Sequence, residues 1–215
     1  MDAKPGIGFS AVQGAVGKKV TVEGMRESMG DSYTHAGVLG SALGMNRGHS
    51  RTIFKAAGIP IAVGKVVHRR RAAESHVYPP PYVLKPEDGG SSLGVFIVRE
   101  DQEHPPQELY SAEWQFGDYL LAEHYIEGKE LTCAVMGNVA LGVIEIQSAV
   151  GFYDYTAKYR PGGSIHVLPA EIKPKIYQEV QKLTLKAHQA LGCRGVTRAD
   201  FRYDDRAEGA NGLVC

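Results

Sequence analysis

The sequence is short of most features that would assign a chain to a class at a glance. It carries no surplus of either charge: 24 Lys and Arg balance 24 Asp and Glu. A neutral chain makes no electrostatic case for nucleic acid or an acidic membrane surface as partner. No apolar stretch approaches the ~20 residues that span a bilayer, and Met1-Asp2-Ala3-Lys4-Pro5-Gly6 lacks the basic start and apolar run of a signal peptide. The three cysteines, Cys133, Cys193 and Cys215, form no C-x-x-C pair, and an odd count fits reduced thiols. Eight histidines show no H-E-x-x-H or H-x-x-H spacing, which argues against a zinc site. The spacing G-x-S-x-G occurs at Gly90-Ser91-Ser92-Leu93-Gly94, but a strand follows it where a nucleophile elbow would open a helix, so hydrolase readings have no support. No internal repeat is visible. Arg69-Arg70-Arg71 is a single basic cluster in a neutral chain, a weak footprint for nucleic acid. The expectation is a soluble, cytoplasmic protein without nucleic-acid or membrane partners.

What is present centres on one run, Tyr82-Val83-Leu84-Lys85-Pro86-Glu87-Asp88-Gly89-Gly90-Ser91-Ser92-Leu93-Gly94-Val95. An apolar strand ends in a lysine, a small-residue loop follows, and Val95-Phe96-Ile97-Val98 forms a second strand. Consecutive Gly and Ser residues leave backbone N–H groups uncovered to wrap a phosphate chain, and Lys85 adds a point positive charge. The P-loop pattern G-x-x-x-x-G-K-[ST] is absent, and the lysine precedes the glycines. On the loop alone, a plain surface hairpin is an equal reading.

Around this run, at 215 residues, the chain can bury a substantial core. Ile7–Val12 reads as a weak strand with a Gly-rich turn at Gly14 and Gly17. A short helix near Thr21 carries Val22, Met25 and Met29 on one face and stops at Gly30. Val38–Leu43 reads as a second apolar helix. Ser50 is the expected cap of a third, with Ile53, Phe54 and Ala57 inward before Gly58 and Pro60. Pro79-Pro80-Pro81 stiffens the entry to the Lys85 strand. Further on, Ile176, Val180, Leu183, Ala187 and Leu191 repeat at helical spacing up to Gly192, a stripe best read as core. In Val196–Tyr203, strand alternation puts Arg198, Asp200 and Arg202 on one face and Ala199, Phe201 and Tyr203 on the other. On geometry alone that polar face is more often a surface ion-pair ladder than a site.

Three further segments join the Gly-Gly-Ser-Ser loop in order: Leu120–Val135, with Glu123, Gly128 and Glu130; Phe152-Tyr153-Asp154-Tyr155-Thr156-Ala157-Lys158-Tyr159; and Gly192–Phe201. Upstream stand Tyr33–Leu43 and Lys55–Pro60. The set resembles the ATP-grasp superfamily, and within it the D-alanine–D-alanine ligases. The resemblance implies an α/β ATP-grasp fold with a partial N-terminal α/β domain at 1–45, a central and lid subdomain at 46–116, and a mostly antiparallel C-terminal subdomain at 117–215. It implies ATP- and Mg²⁺-dependent (or Mn²⁺-dependent) ligation of two D-alanines through an acyl phosphate, for peptidoglycan precursor synthesis. D-alanine and ATP are the implied partners and a homodimer the implied assembly.

By the same resemblance, Lys85 touches the α/β-phosphates, and Gly89, Gly90, Ser91 and Ser92 close over them. Glu123 is the acid of the hinge strand, Ile126 belongs to the hinge backbone that reads adenine, and Glu130 takes the ribose hydroxyls. Lys158 and Tyr159 lie on a mobile loop, the tyrosine paired with the serine loop. Arg198 faces the acyl-phosphate oxyanion, Asp200 a metal, and Arg47 stands where an ATP-contacting lysine is usual. The sequence departs from the family pattern at Gln13-Gly14-Ala15-Val16-Gly17-Lys18-Lys19, where His-Gly-x-x-Gly-Glu-Asp is usual, so charge is reversed beside the first substrate's ammonium. A Gly-rich strand-turn-helix before it, and a Glu-x-Asn pair after Cys215, are expected but not present in the sequence. Two alternatives therefore stand: an inactive truncated remnant that at most binds nucleotide, or an ATP-grasp ligase with another acceptor such as D-lactate.

Overall fold

A computed structural model describes residues 18–90, 92–148, 163–206 and 212–215. Ile7–Val12, the side chains of Lys18 and Lys19, Ser91, and the Phe152–Tyr159 loop with Lys158 and Tyr159 lie outside the described residues.

Helix α1 (Lys18–Met29) begins three residues earlier than Thr21. Its face of Val22, Met25 and Met29 is not the buried one: Met25 and Met29 are exposed, and Glu23 is the residue fully withdrawn from water. Helix α2 (Val38–Met45) passes directly into α3 (Arg47–Ala56). The cap of α3 is Asn46, not Ser50. The Asn46 side-chain oxygen accepts from the His49 N–H at 2.7 Å, satisfying one free donor of the first turn, while the Ser50 hydroxyl donates back to the Arg47 carbonyl. An Asn before a Gly-containing first turn was the cap signal that the Ser obscured. Phe54 and Ala57 pack inward as expected, onto the larger core.

The described strands form two sheets with antiparallel neighbours throughout. The first contains β1 (Gly64–His68), β2 (Tyr82–Pro86), β3 (Phe96–Val98) and β4 (Tyr119–His124), in the order β1-β4-β2-β3. A short helix α4 (Arg69–Glu74) and a 3-10 turn at Gln107–Tyr110 cover it, closing a core of Ala72, Tyr82, Leu84, Val98, Leu109 and Leu120. β4 completes this sheet, which runs on to His124.

The second sheet contains β5 (Lys129–Met136), β6 (Val139–Ser148), β7 (Ser164–Val167), β8 (Val196–Tyr203) and β9 (Leu213–Val214), in the order β7-β6-β5-β8-β9. Helix α5 (Pro174–Ala190) lies against one face, with Ile176, Val180, Leu183 and Ala187 meeting Leu131, Cys133, Val143 and Phe201. The helical stripe is core, as its spacing implies. The other face of this sheet carries the polar residues of β8. Between the two sheets the chain crosses once, through residues 125–128.

Candidate active site

The first wall of the cleft is built on β2 and β4. The register sets Val83 opposite Glu123 and Lys85 opposite Leu121, so Lys85 and Glu123 stand diagonally on one face. Lys85 Nζ donates to Glu123 Oε2 at 2.6 Å. Arg51, on α3, donates to the other oxygen, Glu123 Oε1, and to the Ala62 carbonyl at 2.8 Å. Glu123 is thus a buried carboxylate held between two cations. Gly64, its neighbour across the β1–β4 pair, makes room for it: a Cβ there would come to 2.6 Å from the Ala122 carbonyl oxygen and 2.9 Å from Glu123 Cγ. Sequence reading missed Arg51; its signal was the i,i+4 spacing from Arg47, which puts both arginines on one helix face.

Arg47 is set at the root of the glycine loop. Its backbone N–H donates to the Glu87 carbonyl at 2.9 Å and its guanidinium donates to the Pro86 carbonyl. Asn46 donates to Asp88 at 2.7 Å, and the Gly89 N–H donates to the Met45 carbonyl. The loop is therefore pinned to the start of α3 on one side, while Gly90 lies exposed beyond it. Burial pulls the pKa of Arg47 below its ordinary value, opposed by the charges of Glu123 and Asp88.

The second wall is β8 with β5. Arg198 and Asp200 lie on the same exposed face, as alternation required, and pair with each other: Nε to Oδ1 at 3.0 Å. The Thr132 hydroxyl on β5 also donates to Asp200 Oδ1, at 2.7 Å. Glu130, also on β5, faces Arg202 directly in register, with 3.6 Å between Arg202 Nη1 and Glu130 Oε2. So the ladder geometry is real, and it coexists with an open polar face.

The two walls meet. Cys215, one residue past β9 and half-buried, donates its N–H to the Pro60 carbonyl at 2.9 Å, two residues before the Ala62 carbonyl that takes Arg51; burial pushes its thiol up to about 12, with the charges of Asp200 and Glu123 adding to the rise and Lys85 opposing it. Residues 60–62 thus join the end of the second sheet to the Arg51–Glu123–Lys85 cluster of the first. Asp200 is half exposed, and no cluster of three His, Cys, Asp or Glu exists among the described residues. One carboxylate does not make an all-protein metal cage, but it fits the mode in which Mg²⁺ is held by a carboxylate plus phosphate oxygens. Near the crossing, a pocket of about 420 Å³ is lined by Pro81, Tyr125, Ile126, Glu127, Asp204 and Arg206 among others.

Residues 53–210 match the family described as D-ala D-ala ligase C-terminus. A D-alanine–D-alanine ligase of Azorhizobium caulinodans is 55% identical over 212 residues, covering 99% of this chain and 69% of its own length. This chain belongs to the D-alanine–D-alanine ligase family. Its fold is ATP-grasp, and the family's work, ligation of two D-alanines at the expense of ATP with Mg²⁺, is the function the motifs led us to expect. Among solved structures, the VanG D-Ala:D-Ser ligase of Enterococcus faecalis aligns with a TM-score of 0.74 at 28% identity, over 96% of this chain and 61% of that one. The D-alanine–D-alanine ligase of Bacillus anthracis complexed with ATP aligns with a TM-score of 0.70 at 25% identity, over 93% and 64%. This chain spans between 61% and 69% of the length of these three relatives. Among the described residues, no helix is long and apolar enough to cross a membrane.

Proposed function

We propose that this chain is a D-alanine–D-alanine ligase that binds ATP between its two sheets and forms D-alanyl-D-alanine for peptidoglycan precursors. The observation that carries the reading is the Lys85–Glu123 pair at 2.6 Å on one wall with the exposed Arg198–Asp200 pair at 3.0 Å on the other, the two walls being joined where the Cys215 N–H meets the Pro60 carbonyl at 2.9 Å. In a phosphoryl transfer the protein contributes placed charge more than covalent chemistry.

In this reading Lys85 releases Glu123 and turns to the phosphates, while Arg51 keeps the Glu123 carboxylate compensated. Gly90, Ser91 and Ser92 supply donors to the phosphate chain, and Arg47 steadies the root of that loop. Ile126 offers backbone to the adenine edge and Glu130 accepts from the ribose. Arg198 opposes the negative charge that grows as the first D-alanine carboxylate is phosphorylated. Asp200 would hold Mg²⁺ together with phosphate oxygens, where the ion would supply positive charge against the transferring group. Lys158 and Tyr159 complete the phosphate side. The partition at residues 1–45, 46–116 and 117–215, a homodimeric assembly and a cytoplasmic location belong to the same proposal and are supported by the resemblance alone.

The test is phosphate release from ATP in the presence of D-alanine and Mg²⁺, followed by competition of D-alanine with D-serine and D-lactate as second substrate. Turnover with D-alanine preferred as acceptor is the expected result. No D-alanine-dependent release by folded protein overturns the ligase reading and leaves nucleotide binding as the most the chain does. Preference for D-lactate moves it to the depsipeptide-forming alternative.

A further inference from the structure

The contacts of Arg202 exceed what a strand-face ion pair requires. Its Nε donates to the Ile126 carbonyl at 3.1 Å and an Nη donates to the Gly128 carbonyl at 3.1 Å. Its other Nη approaches Glu130, and the guanidinium carbon lies 5.8 Å from the Tyr125 ring centre. One side chain thus reaches Tyr125, Ile126 and Gly128 in the crossing between the sheets and Glu130 at the start of β5. Only a planar fork with several fixed donors serves two carbonyls and a carboxylate together; a lysine ammonium does not. The crossing also needs Gly128, which sits at φ 99°, because a side chain there would overlap the Tyr203 carbonyl oxygen. The Arg202–Glu130 pair is mostly withdrawn from solvent, with side chains 30% and 20% exposed, so screening weakens it little.

We infer that Arg202 is a positioning residue for the nucleotide: it fixes the 125–128 crossing and aims the Glu130 carboxylate at the ribose hydroxyls. The inference rests on the reading of Glu130 as the ribose acid. Removing Arg202 leaves the Ile126 and Gly128 carbonyls without this donor and takes from Glu130 the guanidinium that faces it across the strand pair. The loss falls on recognition of the sugar rather than on phosphate contacts, which come from Lys85 and the glycine loop.

The experiment is calorimetric titration of the chain and its variants with ATP and with 2′-deoxy-ATP, each with excess Mg²⁺, after thermal melting has shown each protein folded. The wild type should favour ATP by about tenfold, the worth of a hydrogen bond to a charged acceptor. R202M should bring that ratio toward one, mainly by weakening ATP. R202K, which keeps the charge but loses the fork, should fall between. Equal weakening of both nucleotides in R202M, or an unchanged ratio, would overturn the inference. Should R202M fail to fold, R202K decides: a lowered ratio supports the inference and a wild-type ratio overturns it. E130Q separates the two levels. A collapsed ratio in E130Q with an intact one in the Arg202 variants defeats only the positioning role. An intact ratio in E130Q defeats the ribose reading and the inference with it.

Discussion

The two walls of the cleft hold similar charges under different physical terms. On the β2–β4 side, the Glu123 side chain is 9% exposed and locked between Arg51 and Lys85, at 15% and 34%. On the β8 side, Arg198 and Asp200 pair at 61% and 51% exposure, above a core that does not depend on them. The buried cluster is structural and functional at once, because withdrawing one partner leaves a charge uncompensated in low dielectric. The exposed pair is held loosely by water-screened attraction, so it is free to trade partners when substrate arrives. One wall sets the shape of the site and the other stays available to react.

Substitutions sharpen this contrast. The largest stability loss should come from beneath the exposed pair, not from within it: Phe201→Ala, at 2% exposure in the core under β8, should cost about 3–5 kcal/mol in denaturant unfolding. Its strand neighbour in Asp200→Asn should change stability by no more than about 0.5 kcal/mol while removing Mg²⁺-dependent activity. A comparable stability loss in both would erase the distinction between the walls. Next, Glu123→Gln should cost about 2 kcal/mol, since Arg51 is left buried without its full counter-charge, while the part-exposed Lys85 regains water. Asn46→Ala should cost about 1 kcal/mol for the lost cap of α3 and should also loosen the glycine loop, seen as faster amide exchange at Gly89.

The smallest effect is a pH dependence behind the second wall. His188 is buried at the end of α5 with Nδ1 2.7 Å from the Thr197 hydroxyl on β8, and burial lowers its pKa below the usual 6.5. A histidine depressed in the folded state binds fewer protons folded than unfolded as pH falls through that range. Its contribution is therefore complete above pH 6.5 and is lost progressively below it. His188→Gln should flatten that part of the stability–pH curve; an unchanged slope would assign the dependence elsewhere.

Sequence reading recovered the strand alternation of β8 and the stripe of α5 because both follow single periods, two and 3.6, that packing then enforces. The resemblance singled out Lys85, Glu123, Glu130, Arg198 and Asp200, and the structure sets Lys85 beside Glu123 and Arg198 beside Asp200. Partners outside those motifs were illegible. The meeting of Arg51 with Glu123 joins residues 72 positions apart, and Arg202 reaches Ile126 across 76, so neither is written in local spacing. The cap of α3 was misread because Asn46 and Ser50 both suit that role, and only the backbone decides which one flanks the first turn. The place of β4 between β1 and β2 in the first sheet was equally illegible, because that antiparallel pairing is non-local.

The central claim is that the cleft binds ATP through a lysine borrowed from a buried carboxylate. Titration calorimetry of ATP with excess Mg²⁺ into the wild-type chain and Lys85→Ala, with melting measured on both, tests it most directly. The account expects binding by the wild type and at least a tenfold loss in the variant with its fold intact. Undiminished ATP binding by Lys85→Ala, or none by folded wild type, would contradict it.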